Sequence, residues 1–217
     1  MSLRQDWVRT ADWNVDDQRE FRTRLARVRK KNRAAHLIAK AEVLKMTAVP
    51  SKVEGALALL DDAQVAGIDE FVLASWYQCR GDCLFVLDKD DAAVAEYKKA
   101  FDALRAFRGI RRLAYLDFAW IIAVKRLSSY VDEALDVIEE FADKMDFVWS
   151  LNTYSYFGAL ALFSDMNGEH EIARQWAVKS LGALADSQTP QKDHESIRLR
   201  KFRGLETYHF LQKLAAT

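Results

Sequence analysis

Cys79 and Cys83 are the only thiols of the chain and stand four residues apart. At helical spacing the two side chains share one face and point the same way, which suits a disulfide poorly. They read as reduced thiols, and with them as a cytoplasmic protein. As a zinc pair they lack further ligands nearby. The four histidines, His36, His170, His194 and His209, form no His-Glu-x-x-His pair. A single Glu-x-x-His occurs, Glu206 to His209. Di-iron helical bundles use that unit to put a carboxylate and an imidazole on one helix face, but need a second copy and two more glutamates. Here the second copy is missing. Acidic doublets such as Asp61-Asp62 and Glu139-Glu140 read as solvated helix faces.

Nucleotide chemistry fails on glycine spacing. The eight glycines are never closer than ten residues, so neither a phosphate loop nor a dinucleotide fingerprint can be written. No serine has the flanking glycines of a nucleophile elbow. The expectation is a protein that is not an enzyme, with no catalytic residue, metal or cofactor.

The elements around these residues are helical. Of 217 residues 50% are hydrophobic, yet only 8 are Gly and 2 Pro, too few breakers for a many-turned β sandwich or barrel. Apolar residues recur at spacings of three and four almost everywhere. Helices are predicted near 16–31, 33–48, 52–66, 69–87, 90–106, 110–127, 131–145, 148–166, 169–186 and 190–215. Asp16 and Asp17 mark one start. Ser51 stands three residues before Glu54, a capping-box spacing, and Thr189 precedes Pro190, the order of N-cap and first helical residue. Gly67, Gly109 and Gly168 fall between helices, where a left-handed residue is tolerated. The longest apolar runs, Phe118–Val124 and Phe157–Phe163, are seven residues long, far short of the roughly 20 that span a membrane. Residues 1–14 carry Arg4, Asp6, Arg9 and Asp12 without an apolar core, so no signal peptide is expected.

Four segments repeat one pattern of small and bulky residues: Ala56-Leu60-Ala63, Ala93-Tyr97-Ala100, Ala134-Ile138-Phe141 and Ala173-Ala177-Ser180. A small residue at a fixed helix position lets a neighbouring helix approach, and the bulky one fills the groove beside it. One helix pair cannot bury its apolar face alone; stacked pairs can. Residues 76–106, with Tyr77, Gly81, the acidic turn Asp88 to Asp91 and Ala93-x-x-x-Tyr97-x-x-Ala100, resemble a tetratricopeptide repeat. Residues 157–177 are similar, through Phe157, Ala161, Asn167-Gly168 and Ala173. Residues 37–63 and 118–141 match more loosely, and Phe141 stands where a small residue is usual. The resemblance implies an all-α superhelix of about four helix pairs over 33–186. Residues 1–32 form an N-terminal arm and basic capping helix, and 187–217 a C-terminal cap. The competing all-α arrangement is an irregular bundle. Phe21, Leu25 and Val28 form the apolar stripe of the first cap; Ile197, Leu205, Tyr208 and Leu211 form that of the second. Trp7 and Trp13 are expected to staple the arm onto the stack, since aromatics bury large areas.

In the resembled family the first helix of each pair lines a concave groove for a peptide. That face maps to Lys45, then Gln78, Asp82 and Phe85, then Trp120 and Arg126, then Tyr154 and Asp165. The implied function is protein–protein interaction with a peptide or partner helix. For Trp120 the alternative is packing between helices. Ala41, Cys79 and Leu116 stand where a clamp for chaperone C-terminal carboxylates needs polar or basic groups, so that partner is not expected.

Charge supplies the alternative function. Lys+Arg and Asp+Glu both number 32, but residues 1–48 carry net +6 while residues 49–107 carry net −5. Arg22, Arg27, Arg29, Lys30 and Arg33 make a basic face on the first cap. Such a helix grips phosphates or an acidic surface, which predicts contact with nucleic acid or an acidic partner. A solvated cap face is the simpler reading of the same residues.

Overall fold

Asn14 starts the first long helix. Its side chain accepts from the amides of Asp16 and Asp17, and the Asp17 carboxylate accepts from the Asn14 amide in return. This reciprocal capping box satisfies backbone donors that the helix leaves unpaired. Asp16 and Asp17 are thus first-turn residues rather than the cap. In the computed structural model residues 6–107, 113–141, 150–185 and 204–216 are described, and every regular element among them is helical.

The α-helices are α1 (Asp6–Arg9), α2 (Val15–Ala26), α3 (Arg33–Lys45), α4 (Pro50–Ala66), α5 (Glu70–Val86), α6 (Asp90–Ala106), α7 (Ala114–Lys125), α8 (Val131–Glu140), α9 (Ser150–Met166), α10 (His170–Ala185) and α11 (Gly204–Ala216). The Ser51–Glu54 capping box does not form. Pro50 takes the first turn of α4, and Val49 is an N-cap without a side-chain bond; the ring's fixed φ and missing N–H favour that position. Gly67 and Gly168 have φ of 93° and 78°, a region that only a residue without Cβ enters freely. Gly109, Thr189, Pro190, His194 and Ile197 lie outside the described residues.

The chain divides into two compact units, Met1–Arg112 and Leu113–Thr217. In the first, α3 packs on α4 and α5 on α6, with α3 also beside α5. In the second, α7 packs on α8, α9 on α10, and α7 beside α9, while α11 packs on α10. The repeated residues mark these seams: Ala56, Ala93, Ala134 and Ala173 are fully buried, as are Tyr97, Ala100, Ala177 and Ser180. Small side chains let the helices close, so the spacing read from the sequence is the spacing of the contacts. Gly81 shows how close. A Cβ there would lie 2.5 Å from the Tyr97 ring, so the missing methyl is what lets α5 accept the α6 aromatic.

The core of the first unit gathers Phe21, Leu37, Leu44, Leu59, Leu60 and Trp76. The buried Trp76 indole N–H donates to the Leu60 carbonyl over 2.9 Å. Trp7 and Trp13 both pack on Phe21, with centroids 5.1 and 5.5 Å away, so the arm is stapled down. Among the described residues no helix is long and apolar enough to cross a membrane.

Candidate functional site

Asp82 is where three helices of the first unit meet. Lys45, the last residue of α3, holds its ammonium 2.6 Å from Asp82 Oδ2 and 2.7 Å from Glu42 Oε2. Tyr97 of α6 donates its hydroxyl to the other Asp82 oxygen. Burial works against the Lys45 charge, but the Asp82 and Glu42 carboxylates outweigh it and hold the ammonium well above its ordinary range. The result is a fixed cation–anion pair at a half-buried surface. Gln78, one helical turn before Asp82, is half-buried on the same face of α5.

The aromatic members of the mapped groove are placed differently. Phe85 is fully buried and packs near Tyr97, with centroids 5.8 Å apart. In the second unit Trp120 and Tyr154 are both 2% exposed and 5.4 Å apart. Trp120 also fills the notch at Gly158, where a Cβ would lie 2.8 Å from the indole. These three rings pack inside their units, and none presents a face to solvent. Trp120 follows the packing alternative. Arg126 and Asp165 are joined at 3.0 Å, with Arg126 ending α7 in the left-handed conformation. The structure therefore brings Lys45 to Asp82 and Arg126 to Asp165, each pair within one unit.

The basic face is divided. Arg22 reaches across to Asp62 of α4 at 3.1 Å. Arg33 turns back to cap α2, donating to the carbonyls of Ala26 and Val28. Arg27, Arg29 and Lys30 are exposed, and among the described residues no carboxylate pairs with them.

Cys79 and Cys83 are both fully buried free thiols. A hydrogen bond between them, followed by burial, pushes the Cys79 thiol well above its ordinary range, which disfavours the reactive thiolate. Among the described residues no three of His, Cys, Asp and Glu converge as a metal ion requires. His209 Nδ1 lies 3.2 Å from Gln212 Oε1, one turn further along α11.

Sequence reasoning passed over Lys40 and Lys52. Lys40 is only 1% exposed, and its ammonium bonds to the carbonyl of Thr10 at 2.6 Å. Lys52 bonds to the carbonyl of Ala11 at 2.7 Å. The available signal was a lysine inside the stripe Leu37, Ala41 and Leu44, all buried, where a charge needs a partner. Comparison of the chain with protein families, curated proteins and solved structures finds no match to any of them.

Proposed function

We propose that this protein is a non-catalytic interaction module of the cytoplasm, with tetratricopeptide-like helix pairs that receive a peptide or partner helix. The observation that carries the reading is the row Lys45, Gln78 and Asp82 on the adjacent helices α3 and α5. Its charges are already paired and its side chains already ordered, so a partner meets fixed donors and acceptors at little entropic cost. Adjacency of first helices, α3 with α5 and α7 with α9, is what stacked pairs require, and supports the superhelical reading. Phe85, packed on the Tyr97 ring whose hydroxyl holds Asp82, serves in this reading as the support of that row. A photo-crosslinking residue at position 78 is expected to capture a partner protein, whereas one at the exposed Lys98 of α6 is not. Equal capture at both positions would sink the assignment.

A second reading has its own support in the exposed Arg27, Arg29 and Lys30 between α2 and α3, with which no carboxylate among the described residues pairs. These suit a nucleic acid or an acidic protein surface. Binding through them falls steeply with salt and is lost when all three become Glu. Absence of a complex with nucleic acid or an acidic protein at low salt removes this reading.

A further inference from the structure

Surface charges in each unit find partners within it: Arg22 meets Asp62, Arg80 meets Asp61, and Arg126 meets Asp165. Two stretches of opposite sign stand apart from this pattern. Residues 27–33, between α2 and α3, hold five cations and no carboxylate, while α8, residues 131–140, holds five carboxylates and no cation. Arg27, Arg29, Lys30 and Lys31 are exposed, and so are Asp132, Asp136 and Glu139. No ion pair among the described residues includes any of them.

These charges work against their own helices. Lys30 and Lys31 precede the start of α3, whose first turn has no acidic residue and whose N-cap Asn32 makes no side-chain bond. Aligned peptide dipoles leave that end positive, so cations beside it are repelled. Asp132, in the first turn of α8, suits the dipole of its helix; Glu139 does not. It stands in the last turn, which has no basic residue and whose free carbonyls repel a carboxylate. Asp136 lies four residues after Asp132 and three before Glu139, so like charges adjoin along one exposed stripe. Groups that oppose their own element, and find no partner in their unit, point to a role outside it.

We propose that the basic corner at Arg27, Arg29, Lys30 and Lys31 docks on the acidic face of α8 in a second copy of this chain. The proposal rests on the reading of Arg27, Arg29 and Lys30 as a contact face, and names the acidic surface that they meet. Charge complementarity selects the occupant. The stripe runs about 10 Å along α8, enough to meet several cations at once. The helix dipoles add to the side chains, because docking brings the positive end of α3 toward the negative end of α8. A nucleic acid suits the corner less well. Residues 27–31 hold no aromatic on which a base could stack, and the chain has no net positive charge to gather a polyanion. The two faces are different surfaces, so the contact is heterologous: it closes into a pair or ring, or runs on as a chain of copies. It shares no residue with the row Lys45, Gln78 and Asp82.

The test follows the mass of the full chain by sedimentation and light scattering. Wild type is expected to self-associate in about 0.05 M NaCl and at least about tenfold more weakly in about 0.5 M, where salt shortens the reach of exposed charges to a few ångströms. Reversing either face, by Arg27→Glu/Arg29→Glu/Lys30→Glu or by Asp132→Lys/Asp136→Lys/Glu139→Lys, is expected to weaken association at least about tenfold at low salt. An equimolar mixture of the two variants is expected to associate again, since each supplies the sign that the other has lost. A wild type that stays monomeric at low salt, a variant that associates as before, or a mixture that does not recover overturns the proposal. Should a reversed variant fail to fold, carbodiimide coupling of wild type decides. In a mixture of isotopically light and heavy chains, the Lys30–Glu139 link must join light to heavy; no link, or one confined within single chains, overturns the proposal. A monomer that binds nucleic acid at low salt, and loses it on reversal of the basic corner, overturns self-association but keeps the corner as a contact face. Loss of both activities removes the two readings together.

Discussion

The Lys45 ammonium and the Asp82 carboxylate lie 2.6 Å apart, each side chain only 15% exposed. They join α3 to α5, and Tyr97 joins the same carboxylate to α6. Removing one member leaves the other charged, desolvated and short of a partner. Asp82→Ala is therefore expected to destabilise the protein by about 3 kcal/mol. Lys45→Met/Asp82→Leu should recover most of that loss, because both charges go together. Urea denaturation of the three proteins measures it; a loss below about 1 kcal/mol for Asp82→Ala would place the pair among ordinary surface ion pairs. The pH dependence has a definite sign. The Lys45 pKa is raised above its unfolded value of 10.5, so its stabilisation is complete below that value. It is lost only as pH climbs through the higher folded pKa.

Two glycines on helices should respond oppositely to alanine. At Gly81 the new methyl meets the Tyr97 ring at 2.5 Å and the Ala93 carbonyl at 3.3 Å, and overpacking of this kind costs about 1–3 kcal/mol. At Gly182 of α10 no atom of the described residues lies within 4 Å, so alanine gains helix propensity, about 0.5–1 kcal/mol. Thermal melts of Gly81→Ala and Gly182→Ala shifting in the same direction would contradict this packing.

Cys79 and Cys83 should resist thiol reagents in the folded protein. Both are fully buried, and the Cys79 thiol is held protonated by its bond to Cys83 and by burial. Labelling by a disulfide reagent at neutral pH is expected to follow global unfolding and to accelerate in urea. Rapid modification of both thiols in the native protein would contradict the burial.

Glu171 should stay ionised far into acid. Hydrogen bonds from Arg174 and Gln175, with the Arg174 charge, lower its pKa to about 2. A depressed carboxylate contributes its stabilisation above the unfolded pKa and loses it as pH falls through the folded value. An NMR titration of Glu171 should therefore show a midpoint near pH 2, and Arg174→Gln should move it back up toward the ordinary range.

Much of the fold is legible from residue spacing. The predicted helix over 90–106 is α6 to the residue, and those over 52–66 and 69–87 match α4 and α5 within two. The start of α4 differs because Pro50 competes for the first turn. The site is less legible. Phe85 and Tyr154 share helix faces with Asp82 and Asp165 by spacing, yet both rings, like Trp120, are buried where those carboxylates are paired near the surface. A helical period gives a direction on one helix, not the depth of a neighbour.

Helix content and the small residues at the seams follow from the sequence by itself, because propensity and period act within a turn or two of chain. Tertiary structure alone decided which charges are spent. Lys45 and Asp82, Arg22 and Asp62, and Lys40 with the Thr10 carbonyl are pairs of groups remote in sequence. So is the seating of Trp13 over Gly55. Each depends on two helices, or a helix and the N-terminal arm, arriving at hydrogen-bond or van der Waals distance. That distance is set by the packing of whole side chains, and no single segment encodes it.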